Sequence, residues 1–128
     1  MPLPLAPHRA DAPETILSIR NLSVRFDLPE GSVPAVRDVS LEVRRGECVA
    51  LVGESGCGKS LTALSVLGLV PPPGRVAGGS VTVLGRDVAA MGREELRGLR
   101  GRDAGMVFQE PLTSLNPVFR VRRHLAEA

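Results

Sequence analysis

Several residue types are scarce in this sequence, and each shortage excludes a class of protein. Tryptophan and tyrosine are absent, and phenylalanine occurs only three times. Two cysteines, Cys48 and Cys57, are too few for a disulfide framework or a structural zinc site. No apolar run approaches the ~20 residues that a membrane-spanning helix needs, and residues 1–8 lack the basic and apolar regions of a signal peptide. We therefore expect a cytosolic chain that reaches a membrane only by docking onto another protein.

An excess of charge of one sign is also missing. Sixteen basic residues face 14 acidic ones in the 128 residues, which leaves a formal net charge of +2. A balance so close to neutral gives no electrostatic reason to expect nucleic acid as a partner. The hydrophobic fraction of 43% and the charged fraction of 23% are ordinary for one small globular domain or for a part of a larger one. Lysine occurs once, as Lys59, among 15 arginines.

The first third of the chain has the pattern of a leader followed by two strands. Residues 1–14 contain four prolines and few residues that could pack, so we expect a flexible leader there. Apolar residues alternate over residues 15–26 and again over residues 33–43, with a turn containing Pro and Gly between the two runs. This arrangement predicts an antiparallel pair of strands.

After residue 47 the pattern changes to that of an α/β protein. Residues 48–52 and 104–108 are short, continuous apolar runs, which are typical of strands buried on both faces. Residues 59–70 have apolar positions on two helical faces and are followed by three prolines, which we expect to end the helix. The remaining predicted elements are a strand at 80–84, a charged helix at 93–100 and the opening turns of a helix at 121–128.

A glycine-rich loop joins the predicted strand at 48–52 to the following helix. Residues 53–60 read GESGCGKS and fit the phosphate-loop pattern G-x-x-x-x-G-K-[ST] without a mismatch. Backbone N–H groups of such a loop and of a helix N-terminus hold a polyphosphate, and glycine leaves the approach to them open. Lys59 would then reach the β- and γ-phosphates, and the Ser60 hydroxyl would bind Mg²⁺. The alternative is a glycine-rich turn that binds nothing, but such a turn does not need lysine followed by serine.

The motif predicts a phosphate site but leaves a kinase, a GTPase and a transport ATPase all open. We interpret Cys57 as a small residue tolerated in the loop rather than as a redox group. The predicted cofactor-binding residues of the loop are Gly53, Glu54, Ser55, Gly56, Cys57, Gly58, Lys59, Ser60 and Leu61.

A second stretch of the sequence narrows the choice among these three classes of protein. Residues 106–118, MVFQEPLTSLNPV, closely resemble the Q-loop region of ABC transporter ATP-binding subunits, in particular those of oligopeptide, dipeptide and nickel importers. The resemblance covers residues 15–128 and implies a partial nucleotide-binding domain that ends just after the Q-loop. The implied fold is an α/β P-loop NTPase core with an N-terminal antiparallel β-subdomain, incomplete at its C-terminus. A small-molecule kinase fits less well, because strands precede the phosphate loop and the Q-loop stretch follows it.

The resemblance also implies roles for residues outside the phosphate loop. Gln109 would contact Mg²⁺ or the attacking water and act with Lys59 in catalysis; the alternative is a polar residue bonded to backbone at a strand end. Phe26 would stack on the adenine base, unless it is a core residue and the base rests on Val33 or Val36. Residues 112–119 would face the permease, with packing of Leu115, Val118 and Phe119 onto their own domain as the alternative.

The implied ligands are ATP and Mg²⁺. The implied partners are a second nucleotide-binding subunit in a homo- or heterodimer, transmembrane permease subunits and, indirectly, a substrate-binding protein. The resemblance puts the protein peripherally on the cytoplasmic face of the plasma (inner) membrane. There, ATP binding and hydrolysis would drive the transport of peptides or nickel.

Three elements of the family are absent from the sequence, namely the LSGGQ-like signature, the Asp-Glu pair of the Walker B strand and the switch histidine. The general base that orients water is therefore not encoded. We expect either the N-terminal part of a longer polypeptide or a short nucleotide-binding module that does not turn over. In both cases these residues alone should not hydrolyse ATP at a useful rate, and the isolated fragment should be marginally stable.

Overall fold

Two long antiparallel strands open the part of the chain that the structure describes. In the computed structural model, which describes residues 13–109 and 115–127, β1 spans Thr15–Leu28 and β2 spans Gly31–Arg44. A two-residue turn joins them, and Gly31 follows it with a φ of 137°. The predicted antiparallel pair is therefore confirmed. The predicted leader falls almost entirely on residues 1–12, which lie outside the described residues.

The sheet extends on the other side of β1. Strand β3, Gly74–Val83, pairs antiparallel with β1, and the short strand β4, Arg86–Asp87, pairs with β3, giving the order β2-β1-β3-β4. Strand β3 begins six residues earlier than the predicted strand at 80–84. The reason is that β1 is long enough to pair with the whole of β3, with Phe26 opposite Gly74 at the far end.

Irregular residues lie beside one another across the three long strands. Asn21 on β1, Asp38 on β2 and Gly79 on β3 all have left-handed backbone angles, at φ 49°, 50° and 80°. The Asn21 side chain donates a hydrogen bond from Nδ2 to Oδ1 of Asp38 at 2.7 Å, and the strand register shifts at this level in both pairings. Such bulges bend a strand and increase the local twist of its sheet.

The hydrophobic core lies on one face of this sheet. Its buried members on β3 are two residues apart, as expected for a sheet with one covered face, whereas those on β1 are three apart across the bulge between Ile19 and Leu22. The buried strand residues are Ile19, Leu22, Val24, Val36, Val81 and Val83, and they pack with Val88 and Leu99.

Residues of the first two helices and of two helical turns pack against this core. Helix α1 spans Lys59–Val66, helix α2 spans Arg93–Gly98 and helix α3 spans Val121–Glu127. A 3₁₀ turn at Val88–Ala90 precedes α2, and a π-helical turn at Leu99–Asp103 continues it. None of the described helices is long and apolar enough to cross a lipid bilayer.

Helix α1 ends earlier than the position that the prolines at 71–73 led us to expect. Gly68 adopts a φ of 61°, and its N–H donates to Ser65 O at 3.1 Å while Leu69 N–H donates to Leu64 O at 2.9 Å. This is a Schellman motif, in which a left-handed glycine stops the helix. The prediction that the prolines end the helix is therefore wrong, since the glycine ends it three residues before Pro71 is reached.

The two predicted buried strands at 48–52 and 104–108 are not strands in the structure. Val52 and Val107 are each 89% exposed. A strand needs a hydrogen-bonded neighbour, and none lies beside either segment within residues 13–109 and 115–127. The two predictions are wrong for the described residues, and the expected parallel sheet is not observed there. Both segments instead border an apolar groove of about 290 Å³ between the sheet and α1.

Candidate phosphate-binding site

Glycines shape the loop at residues 53–58 for different physical reasons. Gly56 and Gly58 have φ of 81° and 96°, which side-chain-bearing residues rarely adopt. At Gly58 a Cβ atom would also lie 2.8 Å from the carbonyl oxygen of Ala35 on β2. At Gly53 a Cβ atom would lie 2.6 Å from Sγ of Cys57. The first hairpin therefore positions the loop, because β2 approaches it too closely for any residue but glycine at position 58.

The N-terminus of helix α1 points its unpaired backbone N–H groups toward the loop. Its N-cap is Gly58, no side chain caps it, and no acidic residue lies in its first turn. The first N–H groups of a helix have no acceptor within the helix and carry the positive end of its dipole. Thr62 and Ser65 are buried, but their hydroxyls donate to Gly58 O at 2.9 Å and Leu61 O at 2.7 Å. These bonds hold the helix without using its free N–H groups.

The Lys59 side chain bonds back to the loop that precedes it. Its ammonium donates to Gly53 O and to Glu54 O, each at 2.6 Å, and lies 3.4 Å from Sγ of Cys57. An ammonium has three N–H donors, and these three contacts use all of them. A phosphate that binds Lys59 would therefore replace at least one of these partners.

Gln109 lies at the same cavity as the phosphate loop. The cavity has a volume of about 400 Å³. It is lined by Ala35, Ser55, Gly56, Gly58, Lys59, Ser60, Leu61 and Gln109. The structure therefore brings Gln109 together with the residues predicted from the loop motif. Gly53 and Glu54 contact Lys59 through their carbonyls, and Cys57 lines a neighbouring pocket with Gly56 and β2.

Ala35 is a lining residue that the sequence did not predict. It lies on β2, and its carbonyl is the group that a side chain at position 58 would strike. No local motif marks it, because its place at the cavity depends on how the hairpin packs against the loop. Its small side chain leaves the cavity open.

Phe26 is not among the residues that line the cavity. It lies opposite Val33 in the β1–β2 pair and opposite Gly74 in the β1–β3 pair. A Cβ atom at Gly74 would lie 2.9 Å from the Phe26 ring, so the ring packs over that glycine. Val36 is only 4% exposed and leaves little surface for a base, whereas Val33 is exposed. The stacking of adenine on Phe26 stays a prediction.

The segment predicted to face a permease is described only in part, because residues 112–114 lie outside the described residues. Leu115, Val118 and Phe119 are all exposed. The Phe119 ring contacts α3, since the guanidinium carbon of Arg123 lies 4.0 Å from its centroid. His124 Nε2 lies 3.1 Å from Asn116 O, which also joins this segment to α3.

The residues present fit a magnesium-bound nucleotide. The loop and the N-terminus of α1 line one cavity together with a single ammonium group. The Ser60 hydroxyl and the Gln109 amide add the neutral oxygens that Mg²⁺ accepts alongside phosphate oxygens. The described residues hold no group of three His, Cys, Asp or Glu side chains that could bind a metal on its own.

The fold and the site together define a P-loop nucleotide-binding protein with an antiparallel β-subdomain in front of its phosphate loop. Residues 36–128 match the family described as ABC transporter. The chain belongs to the ABC transporter family.

The chain is also similar in sequence to individual ATP-binding proteins of this family. The chain is 46% identical over 116 residues to the dipeptide transport ATP-binding protein DppD of Bacillus subtilis (strain 168), covering 90% of this chain and 35% of the relative. It is 45% identical over 125 residues to the oligopeptide transport ATP-binding protein OppD of Escherichia coli (strain K12), covering 98% and 36%. It is 45% identical over 115 residues to the uncharacterized ABC transporter ATP-binding protein YejF of the same organism, covering 89% and 22%.

These matches confirm the resemblance to the oligopeptide and dipeptide branch. The chain spans about a third of the length of the dipeptide and oligopeptide relatives, so the activity and the partners of a whole protein of this family are proposals for this chain.

Proposed function

We propose that this chain is the nucleotide-binding part of the ATP-binding subunit of an ABC importer for peptides. The single observation that carries the proposal is that Lys59, Ser60 and Gln109 line one cavity at the N-terminus of α1. The dipeptide and oligopeptide transport names of its relatives favour peptides as the transported substrate. Nickel, the other substrate of the branch that the Q-loop resembles, is the alternative.

Different residues of the cavity bind different parts of Mg·ATP. The N–H groups of the loop and of the first turn of α1 bind the phosphate oxygens, because they have no other acceptor in the helix. Lys59 adds a compact positive charge at the β- and γ-phosphates. Ser60 and Gln109 would hold the Mg²⁺ through their oxygens, and the Gln109 amide would orient the attacking water. The bound nucleotide supplies a polarised phosphoanhydride bond as the source of free energy.

The partners follow from the same proposal. A second nucleotide-binding subunit would complete the site, as a homo- or heterodimer, and permease subunits would receive the change in conformation. The exposed apolar side chains of Leu115 and Val118 form the candidate permease surface. A substrate-binding protein would act indirectly. The chain would lie peripherally on the cytoplasmic face of the plasma membrane.

A nucleotide titration tests the proposal. We expect calorimetry to show that the chain binds ATP in the presence of Mg²⁺ and that Lys59→Ala weakens binding by more than about tenfold, since a charge-assisted contact is lost. Lys59→Arg should weaken binding as well, because the longer, planar guanidinium does not place a compact point charge where the ammonium lies. Arg97→Ala, which removes an exposed basic residue that does not line the cavity, is the charge control. Equal affinities for the wild type and Lys59→Ala would refute the proposal.

One observation favours a second candidate, a module that binds nucleotide without hydrolysing it. No carboxylate lines the cavity within residues 13–109 and 115–127, and a water-activating base is a requirement for efficient hydrolysis. A phosphate-release assay on the same samples separates the two candidates. Tight binding with no release of phosphate supports the module, whereas release that Gln109→Ala abolishes supports a catalytic site.

A further inference from the structure

Arg100 contacts the end of helix α1 that lies opposite the phosphate loop. Its Nε donates to Leu67 O at 2.8 Å, and its Nη2 donates to Gly68 O at 2.9 Å. The Schellman motif already occupies the carbonyls of Leu64 and Ser65. The guanidinium therefore donates to two carbonyls that accept no hydrogen bond within the motif, at the negative end of the helix dipole.

The turn that carries Arg100 is fixed to the rest of the fold. Leu99, the residue before it, is 0% exposed in the core. The Asp103 carboxylate accepts a hydrogen bond from Arg86 on β4 at 2.6 Å. Ala104 N–H donates to Leu99 O at 2.8 Å, which closes the π-helical turn. The chain leaves this anchored turn directly into residues 104–109.

Residues 104–109 run along α1 from its C-terminus toward its N-terminus. The beginning of the segment and the second half of α1 line the same apolar groove. The groove residues concerned are Ala104, Gly105 and Met106 on the segment and Ala63, Val66 and Leu67 on the α1 side. The end of the segment, Gln109, lines the cavity with Lys59 and Ser60 at the other end of α1. Within the described residues, no strand pairing holds the segment between these two points.

We propose that Arg100 is a positioning residue that sets the place of Gln109 relative to the phosphate loop. This inference depends on the proposed function, because it assigns a use to Gln109 as a ligand of Mg·ATP. The two bonds from Arg100 tie the start of the segment to the end of α1, and the number of residues in the segment then limits where Gln109 lies at the cavity that Ser60 also lines. Without the guanidinium, the carbonyls of Leu67 and Gly68 bind water instead, and α1, with its phosphate loop, loses its hydrogen bonds to the turn from which the segment starts.

The test measures how much Mg²⁺ strengthens ATP binding, as the ratio of the dissociation constants in EDTA and in excess Mg²⁺. The phosphate contacts of Lys59 act under both conditions, whereas Gln109 acts only through the ion. We expect Arg100→Ala to lower this ratio by roughly fivefold. Arg100→Lys, which retains one donor, should restore part of it. Arg97→Ala, which removes an exposed arginine of α2, is the matched control and should leave the ratio unchanged.

A double-mutant cycle with Gln109→Ala separates positioning from general stability. If Arg100 acts through Gln109, Arg100→Ala has no further effect on the ratio once Gln109 is replaced. An effect of the same size in both backgrounds, or equal weakening with and without Mg²⁺, would show that Arg100 only stabilises the fold and would overturn the inference. Binding by the wild type with an unaltered ratio in Arg100→Ala overturns the inference alone. A wild type that binds no ATP overturns the proposed function and the inference with it.

Discussion

Gly56 and Gly58 both adopt left-handed backbone angles in the phosphate loop, but their surroundings differ. A Cβ atom at Gly56 would meet nothing within 4 Å, whereas one at Gly58 would lie 2.8 Å from Ala35 O and 3.1 Å from Cγ2 of Val36. The backbone angle and the contact with β2 are thus separable at these two positions. Of these two glycines, Gly58 is the one packed tightly against the first hairpin.

This difference predicts the stabilities of a matched pair of variants. Gly56→Ala introduces only the strain of a left-handed backbone angle, and it should lower the free energy of unfolding by about 1 kcal/mol. Gly58→Ala adds a clash with a backbone carbonyl and should lower it by about 3 kcal/mol. Urea unfolding of both variants measures the difference. Equal losses would mean that β2 does not approach the loop as the structure describes.

At the scale of the elements, the two unpaired apolar segments differ most from what their sequence predicts. Val52 belongs to the stretch 48–52, which has the composition of a buried strand, yet its side chain is 89% exposed. Val24, on β1, is 0% exposed and belongs to the core. The same residue type therefore occupies two opposite environments in one chain.

Removing two methyl groups at each position should have very different effects. Val24→Ala leaves a space in the core and should lower the free energy of unfolding by about 2 kcal/mol. Val52→Ala should change it by no more than about 0.5 kcal/mol, as exposed substitutions usually do. Thermal unfolding followed by circular dichroism, with the wild type alongside, provides the measurement. A loss at Val52 as large as that at Val24 would mean that residues 48–52 are buried after all.

Much of the fold could be predicted from the sequence where the signal is local. The alternation over residues 15–26 and 33–43 predicted the hairpin, since each strand pairs with its nearest neighbour in the chain. The early residues of β3 were missed because the prolines and glycines before residue 80 are typical of a loop. Pairing with β1 overrides that local preference. Burial of the segments at 48–52 and 104–108 depends on distant neighbours, which local pattern does not report.

The candidate site was predicted from the sequence to a larger extent, because a phosphate loop is a continuous motif. The residues from Gly53 to Ser60 were named from their spacing alone, and Gln109 was named from a resemblance. Ala35 could not be found in this way, since only the packing of β2 against Gly58 brings it to the cavity. The contact of Arg100 with the end of α1 likewise depends on tertiary structure.

For the whole molecule, charge contributes to stability mainly where a carboxylate is held by more than one partner. The pair between Arg20 and Glu42 is largely exposed, and such pairs stabilise proteins little. Asp103 is different, because its side chain is only 11% exposed and contacts both Arg102 and Arg86. Two donors on one carboxylate favour its charged form.

The direction of the pKa shifts fixes how stability depends on pH. Hydrogen bonding from Arg102, with a further contribution from Arg86, lowers the pKa of Asp103 below the ordinary value of 3.8. Hydrogen bonds from Arg75 and Ser32 lower the pKa of Asp27 in the same way. A carboxylate with a lowered pKa in the folded state binds fewer protons there than in the unfolded chain. Its contribution to stability is therefore complete above the unfolded value and is lost as the pH falls through the folded value.

The loss of stability in acid should accordingly depend on the Asp103 carboxylate. We expect the free energy of unfolding of the wild type to fall as the pH drops below about 4. Asp103→Asn should be less stable near neutral pH, because the ion pairs are lost, and should show a smaller fall in acid, because one titrating group is gone. Urea unfolding across a pH series measures both effects. Glu94→Gln, at an exposed position of α2, controls for the loss of one negative charge. An acid limb in Asp103→Asn as steep as that of the wild type would contradict the assignment, since the anchoring of the turn before residues 104–109 would then not depend on a charged Asp103.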